Sequence, residues 1–377
     1  MKTESGNTSD RTLKKEDLFR YLRDPSLVSG LADAVRAEMP RNRHIKIMHV
    51  CGSHEHSVQR WGLRSLLPEN LEIIAGPGCP VCICPAFEIG EAISLARKGV
   101  IIATYGDMIR VPTPYGSLMK EKTGGAGVQV IYSPMDAVAI ARNNPGKEVV
   151  FFSAGFETTV APAASLVVHG DLPDNFSLLT SHRLTPPAME LLLGIGDVHI
   201  NGFIAPGHVS VIVGSEAWGL FPRAYNMPVA VAGFEPANIL LGLLMVLRQI
   251  KNKAARLDNT YAQVVRPEGN PAALRAIETA FDVVPAWWRG IGRVPRSGLV
   301  LKPDFIKTDA RKKFGIAASP ERNELPPGCS CHLVMLGKIY PSSCPLFNSK
   351  CTPETPYGPC MVSQEGTCLI WSKFGTA

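Results

Sequence analysis

Short apolar runs alternate with helical stretches from about residue 44 to residue 250, and this alternation limits the folds open to the chain. The clearest runs are "IKIMHV" (45–50), "LEIIA" (71–75), "GVIIATY" (99–105), "VQVIY" (128–132) and "EVVFFSAG" (148–155). They are continuously apolar, which is typical of parallel strands buried on both faces of a sheet. Strands that alternate with helices predict a doubly wound α/β fold.

The number of predicted strands exceeds what one sheet comfortably holds, so the sequence predicts two lobes. We place two Rossmann-like parallel-sheet lobes at 41–140 and 141–250, after a polar N-terminal extension at 1–40. A C-terminal domain of helices and loops would occupy 251–377. Its last part, 326–377, contains six cysteines and seven prolines and has little periodic structure. We expect a metal cluster to hold this part together.

Charge and hydropathy exclude several classes of function. The net charge of +6 comes without a dense Lys/Arg run, so we expect no nucleic-acid partner. The run "ILLGLLMVL" (239–247) is too short to span a bilayer and predicts a buried helix. The N-terminus has no apolar signal region, so we expect a cytoplasmic protein. Since structural disulfides are rare in that compartment, ten cysteines indicate metal or redox chemistry.

The stretch "HVCGSHEHS" (49–57) places Cys51, His54 and His56 directly after a predicted strand. Ligands of open α/β sheets bind at the carboxyl ends of strands. One thiolate and two imidazoles suit Fe(II), Zn or Cu, so we expect a metal or catalytic site. Glu55 would orient one of the two histidines. The alternative is a loop whose histidines cap the next helix.

The stretch "GPGCPVCICP" (76–85) contains a C-x-x-C pair, Cys79 and Cys82, also after a predicted strand. This spacing can close a disulfide or hold half of a metal site. A parallel sheet can bring the pair close to Cys51. We favour a redox dithiol, and half a metal site or inert packing are the alternatives. Cys84 is expected to be buried.

The C-terminal cysteines include a set with the spacing C-x14-C-x6-C-x16-C, namely Cys329, Cys344, Cys351 and Cys368. Four thiolates in a loop-rich segment fit a [4Fe–4S] cluster or a zinc site. Paired C-x-x-C knuckles are missing from this segment, which favours iron–sulfur, and disulfides are the remaining alternative. On spacing alone, Cys331 can replace Cys329, and Cys360 can replace Cys368.

These motifs together make the chain similar to the HypD family of hydrogenase maturation factors. The resemblance covers nearly the whole sequence from about residue 44. It depends on "CGSHEH", "GPGCPVC", "SAGFETT", "APGHVS", "VAGFEP" and "CPLFNSKCTPETPYGPCMVSQEGTC". It implies two Rossmann-like lobes, a third domain with a [4Fe–4S] cluster, and a role as the scaffold on which the Fe(CN)2CO unit of [NiFe]-hydrogenase is assembled. The implied partners are the small chaperone HypC and the cyanide-delivering HypE.

The resemblance also implies roles for single residues. Cys51 would bind the nascent Fe(II) together with a cysteine of the chaperone, and His54 and His56 would support or ligate it. Cys79 and Cys82 would be the redox pair. The implied cluster ligands are Cys329, Cys344, Cys351 and Cys368, which leaves Cys331 and Cys360 as a second thiol pair. Two residues depart from the family pattern: Cys84, where we expect no cysteine, and His332, where we expect glycine.

We therefore expect a redox-active maturation scaffold rather than a conventional turnover enzyme. The alternative is a cluster-containing thiol–disulfide oxidoreductase that acts on a protein substrate, although such an enzyme has no need for the Cys/His motif at 51–56. A zinc-stabilised binding protein is a third reading. The glycine fingerprint G-x-G-x-x-G is missing from the sequence, so the motifs give no support to nucleotide binding.

Overall fold

The computed structural model describes residues 15–195, 198–317 and 325–375. Its strands, in chain order, are β1 (Ile45–His49), β2 (Leu71–Ala75), β3 (Ile101–Tyr105), β4 (Val128–Ile131), β5 (Val149–Gly155), β6 (Phe176–His182), β7 (Gly202–Pro206), β8 (Val229–Ala232), β9 (Leu257–Asn259), β10 (Phe281–Trp288) and β11 (Gly292–Leu301).

Two parallel sheets form the centre of the molecule. Sheet A has the order β2-β1-β7-β8-β9, and sheet B has the order β4-β3-β5-β6. In sheet A, β1 pairs with β2 on one side and with β7 on its other side, and β7 comes much later in the chain. The carboxyl ends of β1 and β7 therefore border the crevice in which open α/β sheets bind ligands.

The α/β class and the parallel sheets are confirmed, but the predicted division at residue 140 does not follow the sheets. The range 41–140 supplies β1 and β2 to sheet A and also β3 and β4 to sheet B, and the range 141–250 likewise supplies both sheets. Apolar runs of similar composition can pair in either sheet, so their order along the chain does not reveal the grouping. As a division into folding units, the predicted domains stay a prediction.

Helices cover both sheets and join the strands. In chain order they are α1 (Lys15–Leu22), α2 (Pro25–Glu38), α3 (Gly52–Arg60), α4 (Pro80–Ile83), α5 (Ala86–Arg97), α6 (Leu118–Thr123), α7 (Pro134–Asn143), α8 (Glu157–His169), α9 (Thr185–Ile195), α10 (Gly207–Val213), α11 (Leu220–Tyr225), α12 (Pro236–Lys251), α13 (Pro271–Ala280), α14 (Ala310–Lys313), α15 (Cys331–Met335) and α16 (Thr367–Phe374). Short 3-10 turns lie at Leu63–Leu66, Gly106–Arg110, Ser215–Gly219, Pro303–Thr308, Pro341–Ser343 and Pro359–Met361.

The predicted buried helix is α12, which carries "ILLGLLMVL" and packs between sheet A and α2. Helix α2 belongs to the predicted N-terminal extension, of which residues 1–14 lie outside the described residues. Here Arg23 forms an ion pair with Glu235 at a distance of 2.5 Å, in the turn before α12. The described part of the predicted extension is therefore packed against α12, which lies in the second predicted lobe.

The predicted C-terminal domain of helices and loops also contains an antiparallel hairpin. Strands β10 and β11 pair from Phe281↔Leu301 to Trp288↔Gly292. Sequence analysis missed this hairpin because glycine, proline and tryptophan interrupt the alternation typical of strands. The described part of the chain contains no helix that is both long and apolar enough to cross a membrane.

The core around α12 makes a first prediction. Leu243 of α12 is fully buried in the core that this helix shares with α2 and sheet A, so we expect Leu243→Ala to lower the free energy of unfolding by about 2–5 kcal/mol. The partly buried Leu241 of the same helix offers the matched variant Leu241→Ala, which should cost clearly less. Urea unfolding of both variants tests the prediction, and equal losses would contradict it.

Candidate metal and thiol site

Cys51 lies directly after β1, at the crevice between β1 and β7, and is the N-cap residue of α3. Its side chain is only 8% exposed. Burial, followed by the nearby charge of Glu365, raises the pKa of the Cys51 thiol to about 12, although hydrogen bonds from Ser53 and His54 act in the other direction. The thiol is therefore protonated at neutral pH until a metal ion or another partner displaces the proton.

Two glycines let other segments approach Cys51. A Cβ atom on Gly78 would lie 2.4 Å from the backbone nitrogen of Cys51, and one on Gly52 would lie 2.3 Å from the carbonyl oxygen of Glu365. Only glycine allows backbones to come this close. The C-x-x-C loop and the C-terminal segment around Glu365 are thus both pressed against the "CGSHEH" turn.

His54 is fully buried on the inner side of α3. Its Nε2–H donates to the carbonyl oxygens of Ala232 and Gly233, at 3.2 and 3.0 Å, and its ring packs on Phe234 with 4.7 Å between centroids. Burial lowers the pKa of His54 to about 3. The ring is therefore neutral, with its lone pair on Nδ1, which has no hydrogen-bond partner. That lone pair is suited to bind a metal ion.

His56 does not share this environment. It is half-buried, and its ring lies edge-on to Phe374 of α16 with 5.1 Å between centroids. Residues two apart on a helix face different directions, so α3 separates His56 from His54. Its packing against α16 indicates a structural contact.

Glu55 is a buried carboxylate that joins two parts of the site. It accepts hydrogen bonds from His49 Nε2 at 2.7 Å, Arg64 Nη2 at 2.9 Å and Trp371 Nε1 at 2.5 Å. Burial alone would raise the pKa of Glu55, but the charge of Arg64 and the bond from His49 outweigh it and hold the pKa well below its usual range. Glu55 therefore fixes α16 against α3.

The sequence predicts that Glu55 orients His54 or His56, but in the structure Glu55 is paired with His49. His49 ends β1, where an apolar side chain is usual, and its own Nδ1 is buried without a hydrogen-bond partner. One feature of the sequence hints at this pair: a histidine stands in an apolar run, six residues before a glutamate. Helix periodicity gave no reason to connect a strand residue with a helix residue.

Cys79 and Cys82 form a disulfide. Cys79 is the N-cap residue of α4, and both cysteines are buried in the core. Cys84, at the end of α4, contacts the Ser181 hydroxyl at 3.1 Å. Burial and the charge of Glu88 raise the pKa of the Cys84 thiol to about 12. The expectation that Cys84 is buried is confirmed.

Four of the six C-terminal cysteines lie close to one another. The sulfur atoms of Cys331, Cys360 and Cys368 lie within 4.8 Å of one another, and Cys329 Sγ lies 3.2 Å from Cys331 Sγ. Hydrogen bonds from Cys331 and Cys360 lower the pKa of the Cys368 thiol, while the bonds to Cys331 and Cys368 raise the pKa of Cys360. The titrations of these thiols are therefore coupled to one another.

Two other predicted ligands lie in the same C-terminal segment. Cys351 accepts a hydrogen bond from the Tyr357 backbone N–H at 3.3 Å, and burial raises the pKa of its thiol. Cys344 is buried at the end of the turn Pro341–Ser343. Among the described residues, the three-sulfur group joins Cys368 to Cys331 and Cys360, the two cysteines expected to form a separate pair. The assignment of cluster ligands stays a prediction.

The donor set fits a thiolate-bound metal centre. Soft sulfur ligands are grouped and buried, as zinc and iron–sulfur sites require. Gly358 lines the group, and a Cβ atom there would lie 2.6 Å from the sulfurs of both Cys329 and Cys331. A side chain at position 358 would therefore occupy the space beside these thiols.

The disulfide and the C-terminal cysteines share one apolar core. That core contains both cysteines of the disulfide together with Cys331, Cys351, Cys360 and Cys368. Helix α4 contacts the turn Pro359–Met361, which carries Cys360, and α16 contacts α3. The tertiary structure thus brings together thiols that are almost 300 positions apart in the sequence.

This fold and these cysteines define a class: an α/β protein with two parallel sheets, a buried thiol pair and a cysteine group that can hold a metal ion. The family model HypD, described as "Hydrogenase formation hypA family", matches residues 26–375. The chain belongs to the HypD family of hydrogenase maturation factors.

Curated relatives agree with this membership. Hydrogenase maturation factor HypD2 of Bradyrhizobium diazoefficiens is 42% identical over 96% of this chain and 97% of its own length. Hydrogenase maturation factor HypD of Rhodobacter capsulatus is 41% identical over 94% and 97%, and that of Azotobacter vinelandii is 40% identical over 96% and 97%. The resemblance seen in the sequence is confirmed.

The Glu55 contacts make a second prediction. Glu55→Ala leaves the half-buried Arg64 without its carboxylate and removes the acceptor of His49 and Trp371, so we expect a loss of about 3–5 kcal/mol in the free energy of unfolding. Trp371→Phe removes one donor and keeps most of the ring, so it should cost only about 1 kcal/mol. Urea unfolding measures both variants. If the two losses were equal, Glu55 would not be the residue that joins α3 to α16.

Buried histidines make a third prediction. Burial lowers the pKa of both His54 and His182 to about 3 from an ordinary value of 6.5. Between these values the unfolded chain binds protons that the folded chain does not, so each histidine lowers stability as the pH falls from about 6.5 towards 3, by up to about 1.4 kcal/mol per pH unit.

The variant His182→Gln should remove one of these contributions and flatten the plot of unfolding free energy against pH over that range. Glu157, whose pKa burial raises to about 7, acts in the opposite sense, so the readout is the difference between variant and parent. Replacing the exposed His169 with Gln serves as the control. Parallel curves for parent and His182→Gln would contradict the prediction.

Proposed function

We propose that this protein is the scaffold on which the Fe(CN)2CO unit of [NiFe]-hydrogenase is assembled. The observation that carries the proposal is the position of Cys51. It lies at the crevice of sheet A, pressed against the loop of the Cys79–Cys82 disulfide. Membership of a hydrogenase maturation family supports the same reading.

The iron is the cargo of this scaffold, and Cys51 is its proposed thiolate ligand. A cysteine of the small chaperone HypC would complete the thiolate pair, and His54 would offer the lone pair of Nδ1. Because the Cys51 thiol is protonated before loading, iron binding releases a proton. A thiolate-bound Fe(II) is electron-rich, and cyanide and CO are strong-field ligands that favour such iron.

A resident [4Fe–4S] cluster would be held by Cys329, Cys344, Cys351 and Cys368. When bound, such a cluster exchanges electrons one at a time. The burial of Cys344, Cys351 and Cys368 supports this ligand set. So does the position of Cys329, whose Sγ lies 3.2 Å from that of Cys331, a member of the sulfur group that contains Cys368. Cys331 and Cys360, whose sulfurs lie within 4.8 Å, would form the second thiol pair.

The Cys79–Cys82 pair supplies two electrons when its dithiol closes to the disulfide and releases two protons. If HypE presents cyanide as a thiocyanate, release of the anion breaks the S–C bond and takes up two electrons, and one proton restores the thiol. Dithiol oxidation therefore balances cyanide release. Exchange between this pair and Cys360 would proceed through a mixed disulfide, which the contact between α4 and the turn of Cys360 supports.

The proposed setting is the cytoplasm, where HypC and HypE would be the partners, without nucleic acid. A second candidate is a thiol–disulfide oxidoreductase, because a disulfide beside further thiols could equally reduce a protein substrate. Iron content separates the two functions. About four irons per chain favour the oxidoreductase, and about five with infrared-active diatomic ligands favour the scaffold.

The test compares Cys51→Ala with Cys84→Ala in the anaerobic complex with the chaperone. Both variants remove one buried cysteine, but only Cys51 belongs to the proposed iron site. We expect Cys51→Ala to lose the infrared bands of CN and CO while the visible absorbance of the C-terminal metal centre remains. Cys84→Ala should keep both signals. Unchanged bands in Cys51→Ala would exclude the proposal.

A further inference from the structure

Three cysteine sulfurs of the C-terminal segment lie almost as close together as the ligands of one metal ion. The sulfur atoms of Cys331, Cys360 and Cys368 are within 4.8 Å of one another. Zinc–sulfur bonds of about 2.3 Å at a tetrahedral angle place the ligand sulfurs about 3.8 Å apart. Only small side-chain movements are needed to pass from the observed spacing to that value. The three thiols therefore form a nearly complete binding site for a single ion.

The same spacing is too short for the ligands of an iron–sulfur cluster. Each of the four thiolates of a [4Fe–4S] cluster binds a different iron, at a separate corner of the cube. Their sulfurs consequently lie farther apart than sulfurs that share one ion. In the part of the chain that the structure describes, Cys344 and Cys351 stand outside the three-sulfur group. The group is thus arranged for a mononuclear site rather than for the cluster.

The backbone holds the three cysteines on separate elements that are packed against one another. Cys331 begins α15, Cys360 lies in the 3-10 turn that precedes α16, and Cys368 is the second residue of α16. Helix α16 contacts both α15 and that turn. A Cβ atom on Gly366, just before α16, would lie 2.2 Å from the carbonyl oxygen of Cys360, so this close approach requires glycine. The three thiols are therefore positioned before any ion binds.

The chemistry of the group favours a thiophilic divalent ion. All three side chains are buried, and thiolate is a donor that selects zinc over hard cations such as magnesium. Cys329 is half-buried, and its Sγ lies 3.2 Å from Cys331 Sγ, which makes it the neighbouring donor for a fourth position. Gly358 leaves space beside these two sulfurs, since a Cβ atom there would lie 2.6 Å from each. Zinc binding at this group would release the thiol protons.

We propose that the cluster-free protein binds one Zn²⁺ ion through the three-sulfur group, with Cys329 as the fourth ligand, and that this ion and the cluster exclude each other. Exclusion follows because Cys329 and Cys368 also belong to the proposed cluster ligands, and the two centres need these sulfurs at different spacings. This second part rests on the proposed function and deepens it. A zinc-loaded chain would be a form that cannot receive its cluster until the ion leaves.

The experiment uses the full-length chain, reduced and freed of metal with a chelator under anaerobic conditions. Co²⁺ alone is the first probe, because its tetrahedral thiolate complexes absorb strongly in the visible and near-ultraviolet, whereas Zn²⁺ is spectroscopically silent. We expect about one Co²⁺ per chain with such a spectrum, and about one Zn²⁺ should displace it. Weakly coloured, octahedral Co²⁺ would show that the thiols do not hold the ion, and the inference would be wrong.

Two variants separate the zinc site from the cluster site. Cys360→Ala removes a sulfur of the group but none of the proposed cluster ligands. It should weaken Zn²⁺ binding by at least about a hundredfold and still form the cluster when iron and sulfide are supplied. Cys344→Ala should do the reverse, with Zn²⁺ affinity close to that of the parent and no cluster absorbance. Cys84→Ala removes a buried cysteine outside this segment and should keep both centres. Equal losses of Zn²⁺ affinity in Cys360→Ala and Cys344→Ala would contradict the proposed ligand set.

Exclusion is tested by supplying iron and sulfide to the chain after zinc has been bound. We expect Zn²⁺ to prevent the visible absorbance of the cluster in the parent, and a chelator to restore it. The same amount of Zn²⁺ should leave cluster formation in Cys360→Ala unaffected, which separates the proposed site from a general effect of zinc on the added iron and sulfide. A parent that carries both centres at once would disprove exclusion.

The remaining results separate this inference from the proposed function. If the parent forms the cluster but holds no zinc at its thiols, the inference is wrong while the proposed function stands. If the parent binds zinc as expected but never forms a cluster, the cluster of the proposed function fails while the zinc site stands.

If Cys360→Ala does not fold, as judged by circular dichroism, alkylation of the parent with and without Zn²⁺ takes its place. Mass analysis of the labelled peptides then reports which thiols the ion protects. Zinc should protect the three-sulfur group more than Cys344 and Cys351. Equal protection of all these thiols would overturn the inference.

Discussion

The buried carboxylate of Glu55 is the contact on which the arrangement of the whole site depends. It receives hydrogen bonds from a strand residue, a loop arginine and a tryptophan of the C-terminal helix. A buried carboxylate is tolerated only when such donors compensate its lost hydration. Glu55 therefore holds α16 in place, and the hydrogen bond from Trp371 of α16 in turn helps to compensate the buried charge of Glu55. Cys368, near the start of α16, is thereby placed at a fixed position relative to Cys51.

Close backbone packing adds a second constraint. Gly78, Gly52 and Gly358 each stand where a side chain would meet a neighbouring backbone or sulfur atom. They bring the C-x-x-C loop and the C-terminal segment against Cys51, and they leave room around the grouped thiols. In such a dry core, thiols are protonated unless a partner stabilises the thiolate. A bound metal ion or hydrogen bonds between neighbouring thiols can stabilise a thiolate in such a core.

Much of the fold was predictable because local chemistry determines it. Ser133 and Asp136 form the expected capping box at the start of α7, and the continuous apolar runs form parallel strands. The hairpin of β10 and β11 was missed because its sequence breaks the two-residue alternation. The assignment of strands to the two sheets was not predicted. Strand pairing depends on which apolar faces meet, and several apolar runs of this sequence could pair in either sheet. Within the site, the C-x-x-C pair was predicted from spacing, whereas the pairing of His49 with Glu55 joins a strand residue to a helix residue and follows no periodic pattern.

The sequence by itself determined the α/β class, the family, and which thiols and imidazoles are available, since these follow from periodicity, spacing and residue type. Only the tertiary structure decided which of them meet. It turned His56 towards Phe374 and away from His54, grouped Cys331 and Cys360 with Cys368, and buried Arg289 against the end of α4. The physical reason is that burial and hydrogen bonding act between residues that are distant along the chain, and no local pattern records such contacts.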